Sequence, residues 1–272
     1  MKKICNIIFL LSFIVISQNI FAQDFEVSPV DLNFNTLPNN IQNKKITITN
    51  HSNESAIFKI STQDYTFNEL GEKELKARDS HDFSCSLWMA ISPNVIEIEP
   101  NSQGEITVSM NVPEDGWQTR WCDIIISQTQ EQTSFIVDNT KQAGINLLSQ
   151  IMVYVTQKPE NFYDNKAEIV SFVDSGLDEN NNKTLTAIVE NKGKDIINGK
   201  IYLALANIDD LSEQDILPQQ VKIYPQCSRK FKFTLNQGIL PNGTYDVSTI
   251  LDLGKRAPLI GARLKDLILI AE

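Results

Sequence analysis

Residues 87–112 read L-W-M-A-I-S-P-N-V-I-E-I-E-P-N-S-Q-G-E-I-T-V-S-M-N-V, and this stretch decides the fold. Trp88, Ala90 and Ile91 lead into Ser92-Pro93, where the chain loses a backbone donor and is re-aimed. Val95-Ile96-Glu97-Ile98 follows, then a turn at Pro100-Asn101-Ser102-Gln103-Gly104. From there Ile106, Val108 and Met110 alternate with Glu105, Thr107, Ser109 and Asn111 up to Pro113. A period of two places one face of a strand in a core and the other in water. Short strands punctuated by Pro and Gly about every 8–12 residues predict an all-β sandwich or barrel. Folds of this kind bind or scaffold, and chemistry needs a site placed on top of them.

Outward from this stretch the rhythm continues. Residues 25–34 (F-E-V-S-P-V-D-L-N-F) form an opening strand whose proline marks an edge or a kink between sheets. Strands follow at 45–50 and 56–60, and the charged interval 64–83 is expected to be a long exposed excursion. Residues 117–128 hold the apolar core Trp121-Cys122-Asp123-Ile124-Ile125-Ile126, and 128–143 is a polar connection. The strand 145–156 is apolar on both faces: Ile145, Leu147, Ile151, Val153 and Val155 share one, while Leu148, Met152 and Tyr154 share the other. Such a strand is either central in a sheet or waiting for a partner. Lys158-Pro159-Glu160 reads as a linker, after which strands are expected at 167–173, 183–191, 199–205, 222–225, 228–235, 245–251 and 263–270. No segment has a helical period of useful length.

The chain has 272 residues, a hydrophobic fraction of 42% and a net charge of −10, with an isoelectric point near 4.8. That is room for two sandwiches of about a hundred residues each. The acidic balance argues against nucleic acid, which needs a clustered basic face, and against docking on anionic lipid. Lys2-Lys3, the apolar run 7–16 and Phe21-Ala22 read as a secretory signal peptide over residues 1–22. No later segment is long and apolar enough to span a membrane. The predicted organisation is all-β: two immunoglobulin-like β-sandwich domains in tandem, 24–157 and 160–272, after that signal. The mature cysteines are Cys85, Cys122 and Cys227, an odd number for an oxidising compartment. Cys85 and Cys122 flank strands of the first half, where a disulfide is open to them, while Cys227 sits apart beside Pro225 as a free or half-buried thiol.

The order of features in residues 24–157 resembles the periplasmic pilus-chaperone (PapD-like) family. The residues that carry the likeness are Ile46-Thr47-Ile48-Thr49-Asn50, Trp88-Met89-Ala90-Ile91-Ser92-Pro93, Ile98-Glu99-Pro100 and the long excursion before strand 145–156. The second half is similar to the second immunoglobulin-like domain of Gram-positive surface WxL-interacting proteins. There the carrying residues are Val189-Glu190-Asn191-Lys192-Gly193, Leu240-Pro241-Asn242-Gly243-Thr244-Tyr245 and Leu251-Asp252-Leu253-Gly254. The pilus-chaperone resemblance implies strand donation to a partner polypeptide, with Ile145, Leu147, Ile151 and Val153 as the donated face. It also implies a basic pair, an Arg on the first strand and a Lys after the last, that holds the partner's C-terminal carboxylate. Lys158 lies near the second position, but residues 25–34 contain no Arg, so that pair is incomplete here.

No catalytic constellation is present in the sequence. His51 and His81 lack partners at ligand or triad spacing, and neither a nucleophile elbow nor a phosphate-cradling loop occurs. Asp178-Glu179-Asn180-Asn181-Asn182 imitates the start of a calcium loop, but Lys183 stands where a Gly is needed and Val189 where a Glu is needed. It reads as a hairpin turn. Neither cofactor nor metal is expected. The function expected is a non-enzymatic exported chaperone or adaptor, periplasmic, binding another polypeptide by strand addition in assembly of fimbrial or fibre-like surface structures. The alternative is a secreted or cell-surface adhesion module recognising a surface protein or a glycan, the latter through Trp117 and Trp121, which four-residue spacing puts on one face of a strand.

Overall fold

The computed structural model describes residues 24–129, 149–236, 243–254 and 257–271. The expected signal segment 1–22, Ile145 and Leu147 lie outside them. The first sandwich is built from β1 (Phe25–Ser28), β2 (Asp31–Phe34), β3 (Ile41–Asn50), β4 (Ala56–Phe67), β5 (Lys73–Lys76), β6 (Met89–Ser92), β7 (Val95–Ile98), β8 (Gln103–Asn111), β9 (Arg120–Thr129) and β10 (Gln150–Gln157). The second is built from β11 (Ala167–Leu177), β12 (Lys183–Asn191), β13 (Ile197–Asn207), β14 (Glu213–Ile223), β15 (Ser228–Leu235), β16 (Gly243–Asp252) and β17 (Ile260–Ala271).

One sheet of the first sandwich runs β1-β3-β8-β6; the other runs β2-β10-β9-β4-β5, with β7 also on β4. The second sandwich packs β11-β12-β15 against β14-β13-β16-β17. Both are immunoglobulin-like, so the chain is all-β with two such sandwiches in tandem. The expected kink at Pro29 splits the opening strand between sheets. β1 pairs antiparallel with β3, and β2 pairs parallel with β10. Alternation along β8 does what its sequence required: Ile106, Val108 and Met110 are wholly buried in the first core with Phe25, Phe58, Ile124 and Val155. The second core gathers Leu185, Ile201, Phe233 and Val247.

Each sandwich pins the end of one antiparallel strand, β3 in the first and β12 in the second, with a buried asparagine. Asn50 Nδ2 donates to the carbonyls of Glu54, Ile98 and Glu99. Asn191 Nδ2 donates to those of Asp195 and Ile223. A side-chain amide satisfies several backbone groups at once where a tight turn leaves them without ladder partners. Asp178 acts similarly in the hairpin after β11, its Oδ1 accepting from the backbone N–H of Asn180 and Asn182. Those acceptors serve the turn.

One expectation is corrected in part. The interval 64–83 is exposed over most of 69–82, but it does not start at Asp64: β4 continues to Phe67, β5 returns beside it, and Asp64 and Tyr65 are wholly buried. Tyr224 of the second sandwich covers Tyr65, which local sequence cannot show, while Asp64 accepts from the Ser80 N–H and the Ser84 hydroxyl.

Candidate partner-binding site

β10 is paired along its full length with β9, from Gln150↔Ser127 to Gln157↔Arg120. On its other side β2 reaches only from Tyr154↔Asp31 to Gln157↔Phe34. Among the described residues nothing pairs with that side over 150–153. The Tyr154 N–H donates to the Val30 carbonyl at 2.9 Å. Backbone N–H groups two residues apart point the same way, so those of Gln150 and Met152 face the open edge. A strand edge with free donors and acceptors is a template for another strand. Exposed apolar groups flank it: Met152, Tyr154 and Val30.

The outer face of the same sheet is closed a few ångströms away. Tyr65, Trp121 and Tyr224 form a buried aromatic cluster between the sandwiches. The Tyr65 and Tyr224 hydroxyls lie 3.2 Å apart, and Trp121 Nε1 donates to the Tyr65 carbonyl at 2.9 Å. Burial, and then the neighbouring Tyr224, hold the Tyr65 phenol far above its ordinary pKa. His81 and Phe83 stack on the Trp121 ring at 5.0 and 5.5 Å. Burial lowers the His81 pKa, against the opposing pull of Asp64.

Lys73, from β5, reaches over this face. Its Nζ sits 4.1 and 4.2 Å from the Tyr65 and Tyr154 ring centroids and 2.5 Å from Asp123 Oδ2. The two rings and the carboxylate together offset the desolvation of the ammonium. Burial nevertheless raises the Asp123 pKa despite the contact with Lys73. Around the cluster, Thr119 Oγ1 donates to Asp195 Oδ1 at 2.7 Å, and Lys158 Nζ to Asp195 Oδ2 at 2.5 Å. The Lys230 N–H donates to the Glu69 carbonyl at 2.6 Å, which ties the β4–β5 turn to the second sandwich.

Several expected site residues are placed differently. Val153 is wholly buried in the first core, so its side chain is not free for a partner while the sandwich is folded. Ile151 points the same way and packs against that core half-buried. The groups that β10 shows to the outside are Met152 and Tyr154, on the face that the donated-strand reading left aside. Lys158 is held by Asp195 and so ties the sandwiches together. Trp117 and Trp121 do not share a face. β9 begins only at Arg120, Trp121 is 1% exposed, and Trp117 stands 55% exposed in the preceding loop. They form no stacking platform for a glycan. Cys85 and Cys122 are brought together, both wholly buried, with their sulfurs 3.1 Å apart. Lys73 was not singled out by sequence reading, and only its place in a β4–β5 hairpin reveals it.

No protein-family model and no curated protein matches the chain. Among solved structures it is similar to a chain of the chaperone–tip adhesin complex of CFA/I fimbriae biogenesis, at 12% identity, over 92% of this chain and 99% of that one, with a TM-score of 0.49. It is similar to the class 5 fimbriae chaperone CfaA at 12% identity, 91% and 99% coverage and a TM-score of 0.45. A chain of the CsuC–CsuE chaperone–tip adhesion subunit pre-assembly complex, from archaic chaperone-usher Csu pili of Acinetobacter baumannii, is similar at 9% identity, 88% and 98% coverage and a TM-score of 0.43. These likenesses concern the fold, which the strand order establishes independently.

Proposed function

We propose that this chain is an exported, non-enzymatic chaperone or adaptor that binds a partner polypeptide by strand addition along the open edge of β10. Following the family resemblance in residues 24–157, the partner is a subunit of a fimbrial or fibre-like surface structure, and the compartment is the periplasm. The observation that carries the reading is the edge itself: residues 150–153 are paired on one side only, beside exposed Met152, Tyr154 and Val30. Main-chain hydrogen bonds to such an edge give affinity with little demand on sequence, and the apolar groups beside it give register. The partner contacts proposed are the 150–153 backbone, Met152 and Tyr154, with Ile145 and Leu147 preceding them in the chain.

Met152→Pro tests this directly. It removes the one N–H that faces the open edge at that position and leaves the β9 ladder intact, a placement that sheet edges tolerate. The chain isolated from its own host is weighed by native mass spectrometry. A stoichiometric co-purifying polypeptide is expected with the unaltered chain and with Met152→Ala, and at least a tenfold loss with Met152→Pro. A bare monomer from the unaltered chain, or equal binding by Met152→Pro, defeats the reading. The mass of that monomer also reports whether the chain has been cleaved after Ala22.

A further inference from the structure

The sulfurs of Cys85 and Cys122 meet for a topological reason. Cys122 lies on β9 with its side chain in the first core, between Trp121 and Asp123, which face outward. Before β6, the chain makes a short parallel bridge to β9 at Ser84↔Trp121, and the Trp121 N–H donates to the Phe83 carbonyl at 2.9 Å. That bridge sets Cys85 beside Cys122, 37 positions away in the chain, with the two sulfurs 3.1 Å apart. A disulfide has an S–S length of about 2.05 Å, so closure needs a movement of about 1 Å. Both residues are wholly buried among Phe25, Ile48, Val108 and Val155. Cys227 belongs elsewhere. It is half-buried on the second sandwich, against the Tyr65–Trp121–Tyr224 cluster.

We propose that Cys85 and Cys122 form a disulfide that closes before the first sandwich packs, and that Cys227 remains a thiol. The order follows from access. Exchange requires a thiolate that can reach an incoming disulfide in line. In the packed sandwich neither sulfur touches solvent, and burial pushes the Cys122 thiol well above its usual pKa. In the open chain, the thiolate of one cysteine attacks a disulfide carrier, either a protein dithiol–disulfide or oxidised glutathione. One carrier sulfur leaves as a thiolate. The second cysteine, deprotonated, then attacks the mixed disulfide at the first cysteine's sulfur, the Cys85–Cys122 bond forms, and the carrier departs with both electrons as its reduced form. The two thiol protons go to solvent. A chain that packs first keeps two thiols in contact with no oxidant able to reach them.

The test is refolding of the full chain from denaturant, with the oxidant supplied in the buffer, so its outcome is independent of export and of partner binding. In one arm, refolding proceeds with mixed oxidised and reduced glutathione. Remaining thiols are then alkylated in denaturant, and the peptides are mapped by mass spectrometry. A Cys85–Cys122-linked peptide is expected in most molecules, with Cys227 alkylated; Cys227→Ser should give the same link. In the second arm the chain is refolded fully reduced, and oxidised glutathione is added only afterwards. Bond formation at least tenfold slower than in the first arm is expected. Alkylation of both Cys85 and Cys122 in the first arm, or a link through Cys227, overturns the pairing. Equal rates in the two arms overturn the order.

Discussion

β9 and β10 lie side by side in one sheet, share one ladder and have similarly apolar sequences, yet they end in opposite states. Every residue of β9 from Trp121 to Ile126 is buried, on both faces. β10 alternates, with Val153 and Val155 inside and Met152 and Tyr154 outside. Their inner faces see the same core. The outer face over β9 is covered by the β4–β5 hairpin with Lys73, by His81 and by Tyr224 of the second sandwich; over β10 this cover thins to Lys73, which reaches the Tyr154 ring and Met152. An apolar strand therefore becomes structural or available according to what is laid upon it. Here the β4–β5 hairpin, His81 and Tyr224 of the second sandwich make that choice together, and leave one strand open.

The comparison can be broken most forcibly at Trp121. Trp121→Ala removes the ring that His81, Phe83 and Tyr224 pack against, and should cost about 4 kcal/mol. Denaturant unfolding followed by fluorescence should also resolve two transitions where the unaltered chain shows one, because the sandwiches lose their shared cluster. A loss below about 1 kcal/mol would mean that the cover over β9 is decorative. Within β10 the contrast is sharper still. Val153→Ala should cost about 2 kcal/mol through two lost methyl groups in a packed core, while Met152→Ala should change stability by less than about 0.5 kcal/mol. Equal effects in urea titrations would erase the inside–outside distinction on that strand.

The smallest effect concerns pH. His81 is held below its ordinary pKa of 6.5 by burial. Between that lowered value and 6.5 the folded chain binds fewer protons than the unfolded one, so stability falls as pH drops through this window and levels off beneath it. His81→Asn keeps an acceptor for the Phe83 N–H, which His81 Nδ1 now receives at 3.2 Å, and removes the titration. The drop in melting temperature between pH 7 and pH 5 should shrink in that variant. An unchanged drop would place the acid sensitivity elsewhere.

Local periodicity carried much of the fold. The alternation Ile106-Val108-Met110, the kink at Pro29 and the hairpin turn at Asp178–Asn182 were all legible, because each is decided by neighbours in sequence. Tyr65 was not. It is buried against Tyr224, 159 positions away, and nothing within residues 64–83 announces that contact. The same holds for Lys158, whose partner Asp195 is on the other sandwich. Trp121 misled for a different reason. Its spacing from Trp117 implied a shared face only if one strand contained both, and β9 starts between them. The unbroken apolar run 121–126 was the available signal that β9 is covered twice. Periodicity also put Val153 on the correct face of β10, but whether that face meets a partner or the chain's own core is a question of tertiary packing.

The parallel junction of β2 with β10 has one more consequence. Because β2 occupies the β10 edge from Tyr154 onward, and the Val30 carbonyl already takes the Tyr154 N–H, any segment laid along that edge meets a buffer stop. It cannot slide past this point towards Gln157 without first evicting the chain's own opening strand. Under the proposed strand addition, Val30 and β2 therefore act as a ruler that fixes where a guest ends and so which of its side chains face in.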